Sequence, residues 1–199
     1  MRKSTINVGR MTRLAILVAL ELIMAYTPLG YFRTAGLEIT FLMIPVVIGA
    51  IILGPAEGAI LGGIFGLTSF GTCFGASTFG GSLLAINPVL TFVTCFFPRL
   101  LAGLLCGYLF RALHKVDRTK LLSFGAASLG GALLNTFFFM TTLMLSFGST
   151  PFIQEMMAGM NVIPFVLAFV GLQGLLEAVV CFIAGTAISK ALQHFLPVK

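Results

Sequence analysis

Charged residues are scarce in this sequence. Asp, Glu, Lys and Arg make up 9% of its 199 residues, against about 25% in a typical soluble domain. Hydrophobic residues make up 58%, so the chain has too little polar surface to cover itself in water. Strand-like alternation of apolar and polar residues is also absent, which excludes the pattern of a transmembrane barrel. We therefore predict an all-α integral membrane protein, because a helix satisfies its own backbone hydrogen bonds in lipid.

Residue patterns that carry catalysis or bind metals are missing as well. The four cysteines have no metal-ligand spacing, and three of them lie inside apolar runs. The two histidines, His114 and His194, fall at predicted helix ends, away from the carboxylates inside the membrane. The sequence contains no nucleophile motif and no phosphate-binding loop. It predicts a protein that is not an enzyme and that holds no metal or cofactor.

The formal net charge of +6 does not indicate a nucleic-acid-binding protein. The basic residues lie between the apolar runs, as the positive-inside rule expects of a membrane protein. Ten of the twelve Lys and Arg residues fall on one predicted side: Arg2, Lys3, Arg10, Arg13, Arg111, Lys115, Arg118, Lys120, Lys190 and Lys199. Loops on the other side carry only Arg33, and Arg99 lies inside a predicted helix. This asymmetry predicts a bundle of six transmembrane helices with both termini in the cytoplasm.

Apolar runs and the breaks between them delimit the predicted helices of a single domain, 1–199. After a cytoplasmic tail, 1–11, the helices are predicted over 12–27, 39–54, 56–70, 86–113, 120–147 and 162–194. The run 39–70 is too long for one span of about 20 residues, and Gly54-Pro55 divides it in two. The segment 71–84 has four glycines and four Ser or Thr residues, which predicts a mobile loop. Loops are also predicted over 28–38 and 148–161.

Polar side chains inside the membrane are candidates for function, because each is costly there. The predicted helices contain six: Glu21, Thr91, Arg99, Asn135, Gln173 and Glu177. Arg99 and Glu177 lie at matching depths, which predicts a structural ion pair; the alternative is that Arg99 meets an anionic substrate. Asn135 and Gln173 also match in depth, and they suit either interhelical hydrogen bonds or ligand contact. Thr91 suits a hydrogen bond to its own helix, and Glu21 has no assigned role.

The order of the small-residue and proline motifs resembles that of a known family. Ala15 and Ala19 form an Ala-x-x-x-Ala pattern, which leaves a flat groove where another helix can approach. It is followed by TPLG at 27–30, IPVVIGA at 44–50, LGP at 53–55, GGIFGLTSF at 62–70 and FPR at 97–99. In this order the motifs resemble the substrate-binding S-components of energy-coupling factor (ECF) transporters, most of all the pantothenate-type branch. The resemblance covers nearly the whole chain, 13–190.

The resemblance implies a six-helix protein of the bacterial cytoplasmic membrane that captures a vitamin from outside. Its partners would be a transmembrane coupling subunit and two ATPase subunits, with Ala15 and Ala19 as the docking face. Small residues at 62–66 would let the third helix pack closely beside the first. Loops 28–38 and 71–84 would close over a pocket between the outer halves of the fourth, fifth and sixth helices. The candidate substrate-binding residues are Asn87, Thr91, Asn135, Gln173 and Arg33.

Two classes of function remain open at this point. The first is the vitamin-binding subunit of an ATP-driven importer, for pantothenate or for another vitamin such as riboflavin, folate or cobalamin. The second is a non-transport membrane scaffold or assembly protein. A pocket between the last three helices favours the first class. A fully packed bundle whose buried polar groups all pair internally favours the second.

Overall fold

The computed structural model describes residues 8–28, 30–34, 37–117 and 121–195, and all their side chains except those of 32–39, 172–173 and 193–195. Within these residues the chain is almost entirely helical, with one short β-hairpin. In chain order the elements are α1 Val8–Tyr26, β1 Tyr31–Thr34, β2 Leu37–Thr40, α2 Met43–Ile52, α3 Pro55–Thr72, α4 Thr78–Ile86, α5 Pro88–Val116, α6 Leu122–Phe147, α7 Pro151–Met157, α8 Val162–Val180 and α9 Thr186–Phe195. A π-helical segment, Cys181–Gly185, joins the last two helices.

Three short elements occupy segments where the sequence predicts something else. The predicted helix 39–54 begins only at Met43, because β1 and β2 form an antiparallel pair in which Thr40 lies opposite Tyr31. Helix α4 begins inside the predicted loop 71–84, where Ser77 Oγ accepts a hydrogen bond from the Gly80 N–H at 3.0 Å and caps the helix. Helix α7 lies inside the predicted loop 148–161. The loops at this end of the bundle are therefore largely structured.

Helix α2 forms the centre of the core. Nine of its ten residues are buried, as expected for a helix that is apolar on every side. Ten residues rise about 15 Å, roughly half the thickness of a bilayer core, so α2 does not span a membrane alone. The chain then reverses at Gly54, whose φ of 120° favours glycine, and Pro55 begins α3.

Helices α3 and α5 pack with their backbones in contact. A Cβ atom placed on Gly66 would lie 2.7 Å from Phe96 Cα, and one on Gly62 would collide with the backbone carbonyl of Arg99. The glycines in contact recur every four residues and therefore share one face of α3. This glycine stripe consists of Gly58, Gly62 and Gly66. The stripe faces α5, which corrects the prediction that residues 62–66 pack against the first helix.

An ion pair joins the N-terminal ends of α1 and α3. Arg10 Nη2 lies 2.6 Å from Glu57 Oε1 and donates to the Leu53 carbonyl oxygen at 3.2 Å. Glu57 is in the first turn of α3, where the helix dipole also favours a negative charge. Arg111, near the C-terminal end of α5, lies beside Gly54. Basic side chains from two helices thus gather around the turn between α2 and α3.

Three described helices are long and apolar enough to cross a membrane: Pro88–Val116, Leu122–Phe147 and Gly174–Leu192. A fourth span results if Pro151–Met157 and Val162–Gly171, which are bent by 79°, count as one. The described helices therefore show three or four candidate spans by length and composition, fewer than the six predicted.

Gly66→Ala should lower the thermal stability of the protein, because the new Cβ would force the backbones of α3 and α5 apart. We expect a loss of about 1–3 kcal/mol, the usual range for overpacking. Gly71→Ala is the matched control on the same helix, since its Cβ would lie 4.0 Å from the nearest atom, the Tyr26 hydroxyl oxygen. Circular dichroism during heating in one detergent compares the two. A melting temperature of Gly66→Ala equal to that of the wild type would contradict the close contact.

Candidate ligand-binding cavity

A cavity of about 450 Å³ lies between the β-hairpin and helices α3 to α8. Helices α5, α6 and α8 contribute Arg99, Asn135 and Glu177 to its wall. On α3 the cavity reaches Cys73, about 24 Å along the helix from the ion-paired Glu57 at 1.5 Å per residue. The cavity therefore lies towards the opposite end of the bundle from that ion pair.

Pro98 lies inside α5 and changes the hydrogen bonds of that helix. Proline has no N–H, so the carbonyl oxygen of Thr94, four residues earlier, loses its usual helical donor. The guanidinium of Arg99 replaces that donor, because its Nη1 donates to the Thr94 carbonyl oxygen at 2.8 Å. The proline thus creates the acceptor that anchors a cation on the cavity wall.

The Arg99 guanidinium is enclosed by aromatic rings. Its central carbon lies 4.6 Å from the ring centre of Phe139 and 5.5 Å from that of Phe65, within the range of cation–π attraction. The residue is 9% exposed, and its Nε has no hydrogen-bond partner among the described residues. A buried cation with an unused donor favours an anionic ligand, because an unpaired buried charge is costly.

Glu177 is anchored separately from Arg99. Its Oε1 accepts a hydrogen bond from the backbone N–H of Thr40 at 2.7 Å, which ties β2 to α8. Arg99 and Glu177 both line the cavity, and the ion pair between them stays a prediction. Helix rise predicts the depth of a residue but not its direction around the helix axis, so matched depth alone does not decide whether the two groups pair.

Asn135 is the uncharged polar residue of the predicted set that lines the cavity among the residues whose side chains the structure describes. The residue is 6% exposed, and its Oδ1 accepts no hydrogen bond from the described residues. Leaving a buried acceptor unpaired costs about 1–3 kcal/mol. Both roles that the sequence left open for Asn135, ligand contact and interhelical hydrogen bonding, stay predictions.

Aromatic rings form the apolar part of the wall and join three elements. Phe79 of α4 lies with its ring centre 5.6 Å from that of Phe169 on α8 and 6.0 Å from that of Phe152 on α7. All three side chains line the cavity. Because Phe79 packs between α7 and α8, helix α4 lies against the cavity.

Two predicted substrate-binding residues, Asn87 and Thr91, form hydrogen bonds at the start of α5. Asn87 Oδ1 accepts hydrogen bonds from the backbone N–H groups of Val89 and Leu90 at 3.0 and 3.1 Å, which caps α5. Thr91 Oγ1 donates to the Asn87 carbonyl oxygen at 2.8 Å, the bond to its own helix that the sequence suggested. Neither is among the described residues that line the cavity. An Asn directly before Pro is a signal for a helix start, and it predicts the cap better than a binding role.

The side chains of two other candidates lie outside the described residues. Arg33 belongs to β1, where it is paired in register with Glu38, and Gln173 belongs to α8 next to Gly174, which lines the cavity. A substrate-binding role for Arg33 and Gln173 stays a prediction.

Sequence reasoning missed the C-terminal end of α3 as part of the wall. Ser69, Thr72 and Cys73 line the cavity, although the predicted third helix ends at residue 70. Thr72 Oγ1 and Cys73 Sγ both donate to the Ser69 carbonyl oxygen at the C-terminal end of α3, which ends at Thr72. The available signal in the sequence was the spacing of Ser69 and Thr72, two hydroxyl residues three positions apart at the end of an apolar run.

Helix α1 is exposed where the docking face was predicted. Ala15 and Ala19 are both exposed, whereas the buried residues of α1 are Glu21 and Ala25. The helix therefore packs on the core through one face and leaves the small-residue face uncovered in the described chain.

A family model described as "ECF transporter, substrate-specific component" matches residues 9–188. The chain belongs to this family. ECF substrate-specific components are transport subunits and not a class of enzyme. Together with the long apolar helices, membership identifies the chain as a multi-pass membrane protein.

Two curated relatives of this ECF component carry similar names. The "Pantothenate transporter PanT" of Leuconostoc mesenteroides subsp. mesenteroides is 35% identical over 115 residues, which are 57% of this chain and 54% of the relative. The "Pantothenic acid transporter PanT" of Lactococcus lactis subsp. cremoris is 32% identical over 163 residues, 77% of this chain and 76% of the relative. The match thus spans about half of the first relative and three quarters of the second.

The anchoring of Arg99 by Pro98 can be tested without a ligand. Arg99→Met should destabilise the protein, because the Thr94 carbonyl oxygen then loses its donor. The same change should cost less in a Pro98→Ala background, where the new alanine N–H can donate to that carbonyl. We expect a coupling of about 1–2 kcal/mol in a double-mutant cycle of unfolding free energies, measured by denaturant titration in detergent. Effects that add within about 0.5 kcal/mol would show that the two residues act independently.

Proposed function

We propose that this chain is the vitamin-binding subunit of an ATP-driven ECF importer and that its substrate is pantothenate. The observation that carries the proposal is the buried Arg99 guanidinium, which presents an unused donor beside a cavity. The two relatives, both named for pantothenate, support the choice of ligand. Pantothenate has one carboxylate, one amide, two hydroxyl groups and a pair of methyl groups, and the cavity wall offers a counterpart for each.

In the proposed complex the carboxylate of pantothenate accepts hydrogen bonds from Arg99, whose planar guanidinium suits a carboxylate. Asn135 Oδ1 accepts a hydrogen bond from the amide or a hydroxyl of the ligand. The Glu177 carboxylate, whose Oε1 already holds the hairpin through Thr40, accepts from a ligand hydroxyl. The aromatic pair Phe79 and Phe169 encloses the methyl groups. Few polar groups in a mostly apolar pocket are the usual design of a small-molecule site.

The alternatives fit the cavity less well. A volume of about 450 Å³ suits a small vitamin, and it falls short of what the large ring system of cobalamin needs. A scaffold role predicts a bundle whose buried polar groups all pair internally. The Arg99 Nε and Asn135 Oδ1 atoms lack partners among the described residues, which favours a ligand-binding protein.

The orientation in the membrane follows from the distribution of charge. In the proposed topology the chain makes six crossings of the bacterial cytoplasmic membrane and has both termini in the cytoplasm. The gathering of Arg10 and Arg111 around the turn between α2 and α3 supports a cytoplasmic position for that end. The cavity lies towards the other end of α3 and would then open outside, with the hairpin and α4 as its covers.

The proposed partners are a transmembrane coupling subunit and two ATPase subunits. The chain itself shows no energy source in its sequence. The exposed pair Ala15 and Ala19 on α1 supports docking of a helix there, because small residues four apart allow close approach.

Arg99→Met should weaken pantothenate binding by about 1.5–3 kcal/mol, the usual free-energy contribution of a hydrogen bond to a charged group. Pantothenol, the alcohol that lacks the carboxylate, should bind the wild type more weakly than pantothenate does. The same alcohol should bind wild type and Arg99→Met equally, because it has no charge for Arg99 to meet. Isothermal titration calorimetry on folded, monodisperse protein measures all four affinities.

Asn87→Ala is the control for this experiment, since it removes a helix cap outside the cavity and should lower stability while pantothenate affinity stays the same. Equal losses of pantothenate and pantothenol affinity in Arg99→Met would place the carboxylate elsewhere. No binding of pantothenate by the wild type would reject the proposed substrate.

Ala15→Trp combined with Ala19→Trp should abolish pantothenate uptake by cells while the purified variant still binds the vitamin. The large side chains would keep the coupling helix away from α1, and neither position is among the described residues that line the cavity. Leu20→Trp, at an exposed position on another side of α1, is the matched control and should leave uptake unchanged. Normal uptake by the double variant would exclude this face as the docking surface.

A further inference from the structure

Two cysteines lie side by side on the wall of the cavity. Cys73 ends α3 and Cys95 belongs to α5, and their Sγ atoms are 3.9 Å apart. The two residues are 5% and 6% exposed, and both line the cavity. Since a disulfide holds its sulfurs about 2.05 Å apart, the gap of 3.9 Å must close by roughly 1.9 Å.

The end of α3 is the part of the pair that can move. Cys73 is the C-cap that follows the last residue of that helix, Thr72, and the chain then turns through Gly75, whose φ is 149°. Cys95 is held in place, because a Cβ on Gly66 of the glycine stripe would lie 3.0 Å from the Cys95 carbonyl oxygen. A small rotation at Cys73 can therefore bring the sulfurs together while α3 and α5 stay packed.

Helix α4 rests directly on the sulfur of Cys73. A Cβ on Gly80 would lie 2.6 Å from Cys73 Sγ, so glycine is what lets α4 approach this closely. Helix α4 also carries Phe79, which closes the cavity against Phe169. Movement of the Cys73 sulfur towards Cys95 would remove the support beneath α4 and shift Phe79.

We propose that Cys73 and Cys95 form a thiol–disulfide exchange site in the ligand cavity, oxidised by low-molecular-weight disulfides, and that the oxidised protein binds pantothenate more weakly. The effect on affinity rests on the proposed function, whereas the exchange itself does not. The disulfide enters through the same cavity as the vitamin. The cell exterior, which the cavity would face, is the compartment where such oxidants persist.

The exchange balances without any other reactant. One cysteine, as the thiolate, attacks a small disulfide RSSR; an S–S bond forms to that cysteine and one RS⁻ leaves, taking up the released proton as RSH. The second cysteine then attacks the mixed disulfide and releases the second RSH. The net reaction converts two protein thiols and RSSR into the Cys73–Cys95 disulfide and two RSH, so the protein is oxidised and RSSR is reduced.

The other two cysteines serve as internal controls. Cys106 and Cys181 belong to the main apolar core, are 0% and 1% exposed, and are not among the described residues that line the cavity. Cys106 Sγ donates to the Ala127 carbonyl oxygen within that core. A small disulfide that enters through the cavity should therefore leave both thiols unchanged.

The first measurement follows the disulfide in detergent-solubilised, ligand-free protein treated with 2-hydroxyethyl disulfide. Intact-mass analysis should show the loss of two hydrogens, and peptide mapping should find Cys73 joined to Cys95. Cys106→Ala with Cys181→Ala should behave like the wild type. Cys73→Ser should stop at a mixed disulfide on Cys95. Unchanged thiols in the wild type, or mixed disulfides alone, would overturn the exchange site.

The second measurement compares pantothenate affinity before and after oxidation by calorimetry. Oxidation should weaken pantothenate binding by about tenfold or more, the effect expected when one contact between ligand and cavity wall is lost. Dithiothreitol should restore the affinity. Cys73→Ser combined with Cys95→Ser should bind pantothenate equally with and without oxidant, because it has no cavity thiol for the oxidant to modify. Equal affinity of the reduced and disulfide-bonded wild type would overturn the effect on binding. If the reduced protein fails to bind pantothenate while the disulfide forms, the proposed function is overturned and the exchange site is supported.

Discussion

The close approach of α3 to α5 is the constraint on which the cavity depends. Gly62 of the glycine stripe faces the backbone carbonyl of Arg99, and Gly66 faces the backbone at Phe96, so the stripe sets the position of the helix segment that carries the cation. In a bilayer, the hydrophobic effect contributes little to the association of helices. Small residues increase the contact area, because they let the backbones of two helices approach closely. A change that separates these two helices would move Arg99 and Cys95 together, and with them one wall of the cavity.

Pro98 interrupts the backbone hydrogen bonds of α5, and the carbonyl oxygen that it leaves without a helical donor becomes part of the site. Inside lipid an unsatisfied carbonyl is costly, so a helix tolerates proline only where another donor reaches the freed oxygen. Here that donor is Arg99, whose guanidinium also lies against the aromatic ring of Phe139. In the Phe-Pro-Arg sequence at 97–99, the proline therefore frees the Thr94 carbonyl oxygen as an acceptor, and this acceptor orients the arginine side chain.

Sequence reasoning works best here for long apolar runs and for depth. The predicted helices 86–113 and 120–147 correspond to α5 and α6, because charged residues and prolines mark their ends. It fails where tertiary contacts override local composition. Residues 78–84 of the Gly-rich segment belong to α4, where Gly80 fits against Cys73. Residues 62 and 66 face α5, and the sequence pattern of a glycine stripe does not predict which helix packs against it. Depth likewise placed Arg99 and Glu177 at one level, but only the fold shows that each has its own anchor.

The central claim is that pantothenate occupies the cavity beside Arg99, and a structure of the protein saturated with pantothenate tests it most directly. The account predicts ligand density between α5, α6 and α8, with the carboxylate within hydrogen-bond distance of the Arg99 guanidinium and a polar group of the ligand at Asn135 Oδ1. Pantothenate bound at another place, or in this cavity with its carboxylate turned away from Arg99, would contradict the account.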